Sequence, residues 1–361
     1  MSHRIRIKDI AMRAGVSTGT VDRVLHNRGK VSPEAREKVM EALNELDYQP
    51  NIIASTLAYN RDIRIGVLLP DWREDPYWEW PKLGVENAHQ SLKHYGLVLD
   101  INYFRLFHPR SFQAQAQAML RKKPDAILFS PIFLNEGMKL LKACQQRQIP
   151  TVLINTDFEE EPVLCYVGQD SYQSGVLAGK LLDLSMSSPG DILVVNLDKE
   201  TTNARHLLDK EKGIRHYFKD NYPDGGFGLF KLDAPFFEDH IQLKGALLEQ
   251  LQLHPNLKGI FITNSRAYHA LDSLQGQLPK TIKVVGFDLL PQNQEYLNKG
   301  AISFLINQNP TQQGYLGITQ VANHFVFKKP VDRIQHLPLD IVVAENLAYY
   351  VKKEKAYEQV L

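Results

Sequence analysis

The sequence predicts an α/β protein: two doubly wound parallel-sheet lobes with a small all-α domain at the N-terminus. The first observation is a series of short apolar runs at 63–69, 98–104, 126–129 and 151–154, alternating with amphipathic stretches near 77–95, 110–121 and 134–148. The second is a repeat of that alternation, with strand-like runs near 191–196, 227–232, 258–262 and 282–286 and helical stretches near 170–186, 203–220, 238–252 and 265–275. Strands that alternate with helices of this length imply parallel sheets covered on both faces. The third is a helical period without strands over the first sixty residues.

In that N-terminal stretch, Ile10, Ala11 and Ala14 make one apolar face of a short helix, and Gly15 permits the left-handed turn that ends it. Ser17 is an N-cap for a second helix with Val21, Val24 and Leu25 facing inward. Two short helices joined by a glycine turn form a helix-turn-helix, whose second helix fits a DNA major groove. Ser32-Pro33-Glu34 opens a third helix with the buried stripe Val39, Leu43 and Leu46, and Pro50 bars its continuation. Asn51 then caps a segment, 52–58, too short to hold a helix alone.

Charge separates a DNA-binding element from a ligand-free helical bundle. The whole chain is +1. Residues 1–30 carry seven Lys/Arg against Asp9 and Asp22, a net +5, while residues 31–60 are net −3. Positive charge concentrated on the groove-reading element is a phosphate-contact footprint.

The runs Lys8-Asp9-Ile10-Ala11, Ala14-Gly15-Val16-Ser17, Thr20-Val21, Arg23-Val24-Leu25 and Tyr48-Gln49-Pro50-Asn51, with Ala54, Leu57 and Ile65-Gly66-Val67, resemble the lactose/galactose-repressor (LacI/GalR) family of bacterial transcription regulators. The likeness is specific over 5–67 and weaker to about 345. It implies a three-helix headpiece over 1–50, a hinge helix within 51–62 that folds on DNA, and a dimerising, effector-binding domain like the type I periplasmic sugar-binding proteins over 63–361. The chain would cross between lobes near 167, 308 and 330, so that the N-lobe takes about 63–167 and 309–330 and the C-lobe about 168–308 and 331–351. Leu57 matches the residue that wedges into the minor groove. The DNA-binding candidates are Lys8, Ser17, Thr18, Gly19, Thr20, Arg23, His26, Asn27, Arg28, Asn51, Ala54 and Leu57. The chain departs from the family at Asp22 and Ser55, where Ser and Arg are usual, and in its small base-facing pair Thr18 and Gly19. Operator sequence therefore does not transfer. Gly19 also costs its helix about 1 kcal/mol relative to Ala.

A chain of 361 residues, 43% hydrophobic and 23% charged, fits two or three globular domains. No apolar run approaches the ~20 residues that span a bilayer, and the basic N-terminus lacks a signal-type apolar segment, so a cytoplasmic protein with no membrane association is expected. Cys144 and Cys165 lack metal-ligand spacing and are expected to be reduced thiols. No metal motif, nucleophile elbow or phosphate-cradling glycine loop is present, which argues against an enzyme, a metal or a cofactor. His89, His94, His108, His206 and His269 are expected on solvated faces.

In doubly wound sheets, ligands sit at the carboxyl ends of strands. All three tryptophans lie in 71–80, directly after the first strand. An aromatic face packs on the C–H face of a sugar ring and carboxylates accept from its hydroxyls. Asp75, Tyr77 and Trp78 fall on the family's Asn-Pro-Phe-Phe/Trp contact positions, although at least one tryptophan is expected to serve as a core plug instead. The other strand ends offer Asn155, Asn264, Asp288 and Gln308; the last three match family positions that bond ligand hydroxyls. Lys210, or alternatively Arg205, falls near the family's basic contact. Asp170 reads as a helix cap.

The expectation is a homodimeric transcription regulator, a repressor of a double-stranded operator, controlled by a small sugar-like effector between the lobes. The rival is a solute-binding protein of a sugar transport system, disfavoured by the headpiece. Residues 356–361 are too few for a heptad tetramerisation helix, which favours a dimer.

Overall fold

The computed structural model describes residues 5–25, 29, 31–46, 62–158, 161–199 and 205–358. The chain forms two units, residues 1–60 and residues 61–361.

In the first unit, α1 (Ile7–Ala14), α2 (Thr18–Leu25) and α3 (Pro33–Glu45) enclose a core of Ile10, Ala11, Ala14, Val21, Val24, Val39 and Ala42. Gly15 takes φ +64°, the left-handed C-cap its sequence position requires. Ser17 Oγ accepts from the Thr20 amide at 3.1 Å, and Ser32 Oγ accepts from the Ala35 amide at 3.3 Å, so both expected caps form. Leu25, Leu43 and Leu46 are half-buried at the rim of this core rather than inside it, and Ala42 takes the interior place on α3.

The second unit holds two six-stranded sheets. One contains β1 (Ile63–Pro70), β2 (Leu97–Phe104), β3 (Ala126–Phe129), β4 (Thr151–Ile154), β5 (Cys165–Gly168) and β11 (Ile334–His336), in the order β11-β5-β4-β3-β1-β2, all parallel. The other contains β6 (Asp191–Asn196), β7 (Leu229–Asp233), β8 (Leu257–Ile262), β9 (Lys283–Phe287), β10 (Phe304–Asn307) and β12 (Asp340–Val342), in the order β12-β10-β9-β8-β6-β7. Only the β12 edge runs antiparallel. Each sheet has an apolar cluster on either face, so its central strands are buried throughout.

The first crossing follows Gly168 and the second follows Asn307: helix Ser171–Ser185 packs on the second lobe, and helix Pro310–Ala322 packs on the first. The third crossing lies between His336 and Asp340, not near 330, and residues 334–336 therefore belong to the N-lobe sheet. β11 is only three residues long and mostly exposed, so it exists because Ile334, Gln335 and His336 find Tyr166, Val167 and Gly168, not because of any local pattern.

Helices Ser171–Ser185 and Arg205–Asn221 cross where Gly175 meets Gly213; a Cβ on Gly213 would lie 2.0 Å from the Tyr172 carbonyl oxygen. Among the described residues, no helix is long and apolar enough to cross a membrane.

Candidate functional site

Two surfaces concern the expected function, one on each unit. On the headpiece, Lys8, Ser17, Thr18, Gly19 and Arg23 are exposed and Thr20 is half-buried. The Arg23 Nε donates to the Gly19 carbonyl at 3.0 Å, so without DNA this side chain lies along its own helix. Ser17 is occupied as the cap of α2, with its Oγ also 2.9 Å from Thr20 Oγ1. His26, Asn27, Arg28, Asn51, Ala54, Leu57 and the expected hinge helix lie outside the described residues.

The second surface is the cleft between the lobes. Both sheets place their first strand, β1 or β6, beside a switch in strand order, and the loops after these strands meet across the gap. Of the nine expected effector residues, eight line this cleft: Asp75, Tyr77, Trp78, Asn155, Lys210, Asn264, Asp288 and Gln308. Asn155 and Asp288 take left-handed backbone conformations, φ +69° and +62°, directly after β4 and β9. Non-glycine residues held there store strain of about 1–3 kcal/mol, a feature common where side chains must be aimed at a ligand.

Asp75 caps the short turn Pro76–Trp78, its Oδ1 accepting from the Tyr77 amide at 3.0 Å. Its Oδ2 accepts from Nη2 of Arg266, in the opposite lobe, at 2.6 Å. The Arg266 Nη1 donates to the Leu197 carbonyl at 2.9 Å and to Asp198 at 3.1 Å, and the guanidinium carbon lies 5.3 Å from the Phe107 ring centre. Burial opposes this charge, but Asp75 and then Asp198 more than offset it, and the Arg266 pKa is raised. Sequence reasoning missed Arg266. The only available signal was an arginine two residues past a strand-end asparagine, and the two carboxylates it bridges are 191 and 68 positions away.

Deeper in the cleft, Lys210 Nζ donates to the Thr263 carbonyl at 2.9 Å and sits 3.5 Å from the centre of the Phe287 ring. Burial pushes its ammonium down, and Asp288 opposes that. Burial likewise pushes the Asp288 carboxyl up against the pull of Lys210. The Asp288 carboxylate accepts from the Gln308 amide at 3.2 Å and from the Gln308 carboxamide, which in turn accepts from Gln169. Asn155 Nδ2 donates to the Tyr77 hydroxyl at 2.9 Å, and Asn264 Nδ2 to the Leu197 carbonyl at 2.9 Å. The cleft thus satisfies much of its own hydrogen bonding, and a ligand must exchange these bonds rather than fill an empty set.

Arg205 does not join these residues. It pairs with Asp209 at 3.3 Å and lines an adjoining chamber beside the lobe crossings. Five residues on a helix rotate a side chain by about 140°, so Arg205 and Lys210 cannot face the same space. His206, expected on a solvated face, lines the cleft instead. Its Nδ1 is enclosed without a partner, and burial, then Lys210 and Arg266, lower its pKa to about 3. His89 and His269 are half-buried too, while His94 and His108 are exposed. Trp78 lines the cleft and is buried, with its ring edge-on to Tyr77 at 5.0 Å. Trp72 and Trp80 pack beside it against Leu290 and Tyr268 of the other lobe. Asp170 caps helix Ser171–Ser185 as expected, accepting from the Gln173 amide at 2.8 Å. Cys144 and Cys165 are free, buried thiols, and no group of three metal-type ligands occurs among the described residues.

Comparison with known proteins matches residues 6–51 to the bacterial regulatory proteins of the lacI family and residues 65–329 to the periplasmic binding protein domain. The ribose operon repressor of Halalkalibacterium halodurans is 28% identical over 346 residues, 94% of this chain and 96% of that one. Among solved structures, a putative LacI transcriptional regulator from Bacteroides fragilis superposes with TM-score 0.73 at 27% identity, covering 80% of this chain and 99% of that one. A glucose-galactose binding protein from Geobacillus stearothermophilus shares the fold, with TM-score 0.70 at 21% identity, covering 79% of this chain and 99% of that one. The groove-reading headpiece and the two-lobed domain with its cleft are the two parts of one family plan, and the chain belongs to the lacI family of DNA-binding transcription regulators, with a helix-turn-helix joined to a periplasmic-binding-protein domain.

Proposed function

We propose that this protein is a homodimeric repressor, working in the bacterial cytoplasm and without enzymatic activity, whose operator affinity is set by a small neutral sugar or sugar derivative held between the lobes. The observation that carries the reading is the direct meeting of the lobes at Asp75 and Arg266, beside buried Lys210 and Asp288 and the aromatic face of Trp78. Carboxylates and carboxamides accept from and donate to hydroxyls, and the aromatic packs on a ring's C–H face. Arg266 is already paired with Asp75 and Asp198, so an anionic sugar gains no unpaired positive charge there.

A ligand that exchanges the cross-lobe bonds changes how the lobes close, and with that the spacing of two hinge segments in a dimer. This is a population shift, and the ligand must bind one arrangement more tightly than the other. Two subunits present two recognition helices to half-sites about one DNA turn apart.

The test is a gel-shift of full-length protein on its own upstream DNA, titrated with neutral sugars starting from pentoses, since a ribose operon repressor is among the relatives. A shifted band whose affinity responds to one sugar, with calorimetric affinity for that sugar reduced by about 1–3 kcal/mol in Asp288→Ala, supports the reading. Unchanged sugar affinity in both Asp288→Ala and Trp78→Ala removes the cleft site.

A further inference from the structure

A second chamber adjoins the cleft beside the lobe crossings. It is built where two of the three crossings converge: Gln169, Asp170 and Ser171 supply one wall, and Ile334 and His336 another. His206 lines both spaces, so they meet at its ring.

Gln169 is 2% exposed, and its Oε1 has no hydrogen-bond partner. Its Nε2 donates to Gln308, which donates to Asp288 in the cleft, so one chain of carboxamides runs from the chamber to the first site. A buried acceptor without a donor is unfavourable and marks a place where a donor is missing. The wall also carries the Ser171 and Tyr172 hydroxyls, the His336 imidazole and the Arg205 guanidinium. Asp157 is held by Arg333 at 3.0 Å, and Asp209 by Arg205 at 3.3 Å and Lys212 at 3.1 Å. The positive charges nearby are therefore matched, and an anionic group finds little to bind. Tyr172, on the first turn of helix Ser171–Ser185, is 38% exposed and lines the chamber.

We propose that this chamber is a second sugar subsite, taking a neutral, hydroxyl-bearing ring linked to the one in the cleft, so that the preferred effector is a disaccharide or glycoside. A hydroxyl supplies the donor Gln169 lacks, and the Tyr172 ring suits the apolar face of a pyranose or furanose. The inference rests on the cleft being a sugar site.

The test is calorimetry of the full-length protein with D-glucose, D-galactose, D-xylose and D-ribose against disaccharides built from the first three, in wild type, Tyr172→Ala and Ile334→Trp. The expected result is one disaccharide binding at least about tenfold more tightly than either of its monosaccharides, at one equivalent per subunit. Both variants, one removing the ring face and one filling the space, then lose that advantage while monosaccharide affinity holds within about twofold. Two equivalents of a monosaccharide per subunit, with one lost in Tyr172→Ala, supports the same subsite filled by an unlinked ring. One equivalent of monosaccharide and no tighter disaccharide overturns the subsite and leaves the cleft reading standing. No binding by any sugar overturns both.

Discussion

Asp75 and Arg266 join the two lobes through a 2.6 Å ion pair whose side chains are 7% and 9% exposed. Arg266 also holds Leu197 and Asp198 at the end of β6, so one guanidinium ties three loops together. Lobe closure therefore has a contribution built into the chain itself, independent of ligand.

Arg266→Ala leaves Asp75 buried and unpaired, and the expected loss of stability is about 3–5 kcal/mol. Replacing both, as Asp75→Leu with Arg266→Met, recovers much of that loss because no charge remains stranded. Denaturant unfolding of wild type, Asp75→Leu, Arg266→Met and the double variant gives the coupling energy, and X-ray scattering reads the lobe opening. An Arg266→Ala protein as stable and as closed as wild type would show that the pair does not hold the lobes.

Arg23 is the long donor on the exposed face of α2, and guanine presents the O6/N7 pair that suits it. Arg23→Ala is expected to cost about 1–3 kcal/mol on the operator and to relax preference at one base pair per half-site. Binding to a library of single-base operator variants measures this. Equal weakening on every sequence would mark a phosphate contact instead.

His206 gives a pH dependence with a definite sign. Unfolded, its imidazole takes a proton near pH ~6.5; folded, burial and the neighbouring Lys210 and Arg266 delay that to about pH 3. The unfolded state therefore binds the extra proton across that window, and stability falls as pH drops through it. His206→Gln cannot take that proton, so its melting temperature should fall less between pH 6.5 and 4 than the wild type's. Parallel pH curves for the two proteins would refute the assignment.

Two glycines respond oppositely to the same change. Gly19 lies in a helix with only Ser17 Oγ, at 3.9 Å, near an added Cβ, so Gly19→Ala should stabilise the headpiece by about 0.5–1 kcal/mol. At Gly213 the Cβ meets the Tyr172 carbonyl oxygen at 2.0 Å, so Gly213→Ala must push two helices apart, at a cost of about 1–3 kcal/mol. Thermal melting of the separate transitions measures both.

Local sequence determined the elements whose signals are local. The helix-turn-helix followed from Gly15, Ser17 and the apolar spacing around them, because caps and turns are made by neighbours in the chain. Strands β1, β3, β4, β6, β8 and β9 were legible because a central strand buried on both faces must be apolar along its length, and the edge strands β2 and β7 because they take their place in the same alternation with helices. Strand-end residues such as Asn155 and Asp288 could be placed at the cleft because the topology of doubly wound sheets puts strand ends there. Tertiary structure alone decided the rest. β5, β10, β11 and β12 are three or four residues each and exist through pairing with distant strands. Arg266 reached the site, and Arg205 did not, for reasons of helix rotation and of charges brought together across 191 positions. Pairing of that kind is a property of folded geometry: the Coulomb and hydrogen-bond terms depend on distances that chain order does not encode.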